Sequence, residues 1–97
     1  MLTFDGRQLT AARGLAELTV AELAEAASVA VRSVHRLEIC GEMHISEKRR
    51  HGHVSREVWD RIVAALQRHG VELLPETDEH GAGVRWLLPR AQRPKNW

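Results

Sequence analysis

Apolar and polar positions along this chain follow a helical period in four successive blocks, each opened by a residue able to cap it. In the first block Leu9, Ala12, Leu15 and Ala16 recur at helical intervals. Asp5 stands where its carboxylate caps the start, Gln8 follows three residues on to reach back, and Phe4 is placed to staple against Leu9. The second block opens on Thr19-Val-Ala-Glu22, the reciprocal pattern that satisfies two amides at a helix start, flanked by Leu18 and Leu23. A helix is therefore predicted from Val20, with Leu23, Ala24 and Ala27 inside. Ser28-Val-Ala30 interrupts it, and a new period begins at Val31 with Val34 and Leu37 facing inward and Gly41 as its stop. Ser55 opens the last block, in which Val58, Trp59, Ile62, Val63 and Leu66 recur before Gly70 ends it.

Two segments lack this period. Residues 41–54 form a connection longer than most in compact domains, which marks a functional or mobile loop. After Gly70, Val71–Glu76 and Val84–Leu88 flank the turn-rich Thr77–Gly83 and read as a hairpin. A lone hairpin is marginal in water, so it must pack on the helices or pair with another chain. Val84, Trp86 and Leu88 share one strand face, more apolar surface than one hairpin hides. Self-association through Val71, Leu73, Val84, Trp86 and Leu88 is the expectation. The chain thus divides into a helical domain over 1–70, a hairpin over 71–88 and a basic, poorly ordered tail over 89–97.

Two short helices joined by a brief break, the second exposing Arg32, Ser33, His35 and Arg36, suit one function in particular. One helix can cross a DNA backbone while its partner enters the major groove. Through Gln8-Leu-Thr-Ala-Ala-Arg13, Leu23-Ala-Glu-Ala-Ala-Ser-Val29 and Ser33-Val-His-Arg-Leu-Glu38, the chain resembles the Cro and phage-repressor-like (XRE-type) helix-turn-helix family of transcriptional regulators over about residues 8–38. It is also similar to short bacterial regulators in which a Leu/Glu-x-x-Gly-Val-Glu helix end precedes a Gly-Val-Arg strand, matched by Leu66–Leu74 and Gly83-Val-Arg85.

The resemblance implies a mainly α, four-helix, lambda-repressor-like helix-turn-helix domain with a C-terminal β-hairpin. It implies that Val31, Arg32 and Arg36 meet base edges, with Ser33 and His35 beside them. Thr19 would bring a helix start to a phosphate, and Arg13 and Glu38 would pair structurally. Arginine suits base reading because its planar fork donates bidentately to guanine O6 and N7. The chain departs from the family pattern at Ser28, where a turn glycine is usual, and at Ala30, where Ser or Thr commonly caps the recognition helix.

Composition sharpens this reading only through where the charges fall. The net charge is +1, but Lys48, Arg49 and Arg50 adjoin one another in the long connection, either to follow a phosphate backbone or enter a minor groove, or as a disordered, solvated loop tip. Glu17, Glu22 and Glu25 precede the recognition segment. The lone Cys40 forms no internal disulfide and suits a reducing cytoplasm. No apolar run approaches the roughly 20 residues of a bilayer span. Cys40, His44, His51 and His53 cluster, yet lack the paired short spacings of zinc motifs, so no metal or other cofactor is expected. No nucleophile, base and orienting group fall into a recognisable arrangement, so the expectation is a non-enzymatic, homodimeric DNA-binding regulator acting on an inverted-repeat operator. The alternative is a protein-interaction module, antitoxin-like or antiactivator-like, that retains the same fold.

Overall fold

A computed structural model describes residues 2–47 and 53–95. Four helices form most of it: α1 (Gly6–Ala16), α2 (Val20–Ala27), α3 (Val31–Ile39) and α4 (Arg56–Arg68). Around them lie strands β1 (Leu2–Asp5), β2 (Glu42–Ser46), β3 (His53–Ser55), β4 (Val71–Leu74) and β5 (Gly83–Trp86), and a short 3-10 turn over Arg90–Gln92. The chain is mainly α, with a small β-hairpin formed by β4 and β5.

The helix starts obey the local chemistry. Asp5 accepts the Arg7 backbone N–H at the head of α1. Thr19 and Glu22 form the reciprocal box of α2, Glu22 N–H donating to Thr19 Oγ1 at 3.1 Å and Thr19 N–H to Glu22 Oε1 at 2.9 Å. Ser55 Oγ accepts from Val58 N–H at 3.2 Å to begin α4. Ala30 heads α3 without any side-chain cap. Gly70, at φ 83, follows the end of α4.

Leu9, Leu23, Val34, Leu37, Ile62, Leu66 and Val71 are fully buried at the centre. α2 and α3, separated by Ser28–Ala30, pack on each other; α1 lies against α3, and α4 against α2.

Several expectations are overturned. The connection between α3 and α4 is not an unstructured loop, since it contributes β2 and β3 to a three-stranded sheet of order β1-β2-β3. β2 runs antiparallel to β1, with Phe4 opposite Met43, and parallel to β3, with Ile45 opposite Val54. The buried side chains of Phe4, Ile45 and Val54 join the core, and the Phe4 ring stacks on Trp59 at a centroid distance of 4.0 Å. Gln8 does not reach back to its own helix start. Its Nε2 donates instead to Leu74 O and Gly83 O, both at 2.9 Å, which ties the hairpin to α1. α3 stops at Ile39 because Cys40 turns extended, not through a left-handed Gly41. The tail folds back, with the Arg93 guanidinium 4.5 Å from the Trp86 ring centroid and Arg93 Nε donating to Leu88 O.

The hairpin is shorter than expected and antiparallel, Val71 facing Trp86 and Leu73 facing Val84. Val71 is 0% exposed within the chain's own core and offers no surface to a second copy. Leu73, Val84 and Trp86 are half-buried against that same core, and Leu88 is half-buried. The apolar face that called for a partner lies on α1 and α4.

Candidate nucleic-acid interface

With 3.6 residues per turn, Val31, His35, Ile39, Arg32 and Arg36 fall within an arc of about 140° on α3. All five are exposed, whereas Val34 and Leu37 on the opposite side are buried and Ser33 and Glu38 are intermediate. The arc holds two adjacent rows, Val31-His35-Ile39 and Arg32-Arg36. Ser33 lies on its flank, half-buried, with its N–H donating to Ala30 O.

Arg32 and Arg36 differ from most other described arginines in having no side-chain partner among the described residues. Asp5 holds Arg7, Glu47 holds Arg56, Glu57 holds Arg61, and Glu72 holds Arg85. Backbone carbonyls receive Arg68 and Arg93. Among the described arginines, Arg32, Arg36 and Arg90 are those whose side chains make no hydrogen bond or ion pair. A free guanidinium on a rigid helix keeps its donors for an outside acceptor, a carboxylate or phosphate oxygen or the paired acceptors of a base edge.

Two devices hold α3 in place. The first is the ion pair implied by the resemblance. Arg13 Nε donates to Glu38 Oε2 at 2.8 Å and Nη2 to Oε1 at 3.1 Å, with Thr10 Oγ1 adding a bond to Oε1. The Glu38 side chain is only 8% exposed, so it is unavailable to a ligand, and its carboxylate raises the Arg13 pKa further. Arg13 Nη1 also donates to Leu18 O, tying the α1–α2 connection into the same cluster. The second device is Gly6, whose N–H donates to Cys40 O and Gly41 O at 3.1 and 3.0 Å, just beyond the end of α3.

Thr19 is exposed, but its hydroxyl and N–H are both engaged by Glu22. Hydrogen bonds from the Thr19 backbone N–H and then its hydroxyl hold the Glu22 carboxyl below the usual carboxylate range, so a negative charge sits at the start of α2. That charge opposes a phosphate approaching Thr19. Lys48, Arg49, Arg50 and His51 lie outside the described residues. No group of three His, Cys, Asp or Glu side chains able to hold a metal ion occurs among the described residues. No helix among them is long and apolar enough to cross a membrane.

Sequence reasoning passed over Ile39, although its position four residues after His35 places it on the same arc. It also missed two arginines of α4 that reach the end of α2. Arg68 Nη2 donates to Ala26 O and Arg61 Nη1 to Ser28 O, placing positive charge at a helix C-terminus, where it is favoured.

Comparison with family models, with curated proteins and with solved structures finds no match to this chain.

Proposed function

We propose that this chain is a cytoplasmic, sequence-specific double-stranded DNA-binding regulator in which α2 and α3 act as a helix-turn-helix and α3 enters the major groove. The single observation that carries the reading is the exposed, partnerless pair Arg32 and Arg36 on a helix whose opposite face is buried. In the groove the two guanidinium groups donate to guanine O6 and N7, and His35 between them reaches a base edge or a phosphate. Binding as a homodimer to an inverted repeat, with half-sites roughly 34 Å apart, belongs to the same proposal. Its support is now Leu87, which remains exposed, together with the outer strand edges of the two-stranded β4–β5 sheet.

Selection of duplexes from a random pool, followed by fluorescence anisotropy on the enriched site, tests the proposal. Arg32→Ala and Arg36→Ala should each weaken binding by about tenfold or more, since a bidentate arginine–guanine contact contributes roughly 1–3 kcal/mol. Affinity should also fall steeply with added salt. Wild-type affinity in both variants removes α3 as the reading element. A chain that selects no motif is instead the protein-interaction module.

A further inference from the structure

We infer that Ile39 is a specificity-determining residue of the α3 face, reading the 5-methyl group of a thymine at the far end of each half-site. The inference rests on the DNA-binding reading above and adds a residue to it. Ile39 is 71% exposed and Val31 51%, against 39% for Leu87, and these three are the exposed large hydrophobic residues among those described. An aliphatic side chain so open to water on an otherwise well-filled helix has no role in holding the fold, because Val34 and Leu37 supply the inward contacts of α3.

Charge on the same arc selects the occupant. Arg32 and Arg36 lie alongside the Val31-His35-Ile39 row without side-chain partners among the described residues, so whatever covers Ile39 must also satisfy two cations. An apolar protein groove would leave them buried and unpaired, at high cost. The major groove meets both demands, since it carries guanine acceptors for the arginines and the thymine C5-methyl as its one apolar contact point.

Spacing makes the inference quantitative. Ile39 follows Val31 by eight residues, about 12 Å along the helix axis. Base pairs are stacked about 3.4 Å apart, so the two aliphatic groups reach positions three to four pairs apart when the helix follows the groove. Arg32 and Arg36, about 6 Å apart along the axis, read guanines roughly two pairs apart between them. Each half-site should therefore carry two thymines bracketing the guanine contacts.

The test substitutes 2′-deoxyuridine for each enriched thymine in turn, which removes one methyl group and nothing else. The full chain should lose about fourfold in affinity at the thymine facing Ile39, the value of one buried methyl. Ile39→Ser, and independently Ile39→Asn, which carry no methyl group to place against the base, should bind the thymine and deoxyuridine duplexes equally at that position while keeping the guanine preference and the response at the Val31 thymine. Two results overturn the inference while leaving DNA binding intact: the same thymine-to-uridine ratio in wild type and both variants at every position, or a selected site without thymines at that spacing. Wild-type protein that binds no duplex overturns the underlying reading, and this inference with it.

Discussion

Ser28 closes α2 at φ 56 and ψ 44, in the left-handed region that a side chain enters at a cost of roughly 1–2 kcal/mol. Two residues later Ala30 heads α3 with no side chain to accept an amide. Both departures were visible from the residues alone, because glycine and a hydroxyl residue are what the physics of a turn and a helix start favour at these places. Ser28→Gly should raise stability by about 0.5–1 kcal/mol, the strain relieved less the backbone entropy glycine adds to the unfolded chain. Ala30→Ser should add about 1 kcal/mol. Urea unfolding monitored by circular dichroism measures both, and a destabilised Ser28→Gly would show that the left-handed turn carries no strain. Asp5 shows an effect of charge. Hydrogen bonds from the Arg7 side chain and then its backbone N–H lower the Asp5 pKa to about 2, although its side chain is only half-buried. A depressed folded-state pKa stabilises the ionised form, so its contribution is complete above the unfolded value near 4 and disappears as pH falls through about 2. Wild type should melt above Asp5→Ser, which keeps a cap but not the charge, at neutral pH, and the two melting curves should converge toward pH 2.

The start of α1 lies close against the end of α3. A Cβ built on Gly6 would come within 2.7 Å of Glu38 O and closer still to Leu37 O and Cys40 O, all of them backbone atoms. Gly6→Ala should therefore push α3 away from α1 and cost about 3 kcal/mol, at the upper end for overpacking because no side chain can rotate aside. A midpoint in urea equal to wild type would disprove this contact. The four helices were legible because their apolar residues repeat over two or more turns and their caps lie nearby in sequence. The β1-β2-β3 sheet was not. Glu42-Met-His-Ile-Ser46 does alternate, but β2 has only five residues and β3 only three, and the strand β2 pairs with on its other side, β1, lies about 40 residues earlier, so an alternation this short does not by itself announce a sheet. Gln8 misled for a related reason. A glutamine three residues into a helix fits a local cap as well as a distant one, and only the fold brings Leu74 O and Gly83 O to it.

At the scale of the whole molecule, the apolar surface expected to drive pairing is already covered. Val71 is wholly internal, Leu73 and Val84 lie on the helices, and Trp86 lies beneath the Arg93 guanidinium. If α3 reads DNA as proposed above, its face spans about four base pairs, a sequence that recurs about once in a few hundred, whereas a genome offers roughly a million or more competing sites. On the proposed DNA-binding function, a single copy would therefore bind too indiscriminately to regulate, and a second copy would have to supply the remaining information. These two constraints are reconciled if pairing is weak in solution and completed on DNA, where the duplex holds two copies beside each other. Sedimentation of the free protein at micromolar concentration should then show a monomer. Anisotropy titration should be non-cooperative on an isolated half-site and cooperative, with a Hill slope of about 2, on an inverted repeat. Changing the half-site spacing by about five base pairs puts the second copy on the opposite face of the duplex and should abolish that cooperativity. A stable dimer in the absence of DNA, or equal affinity for half and full sites, would show that the hairpin face opens to a partner after all.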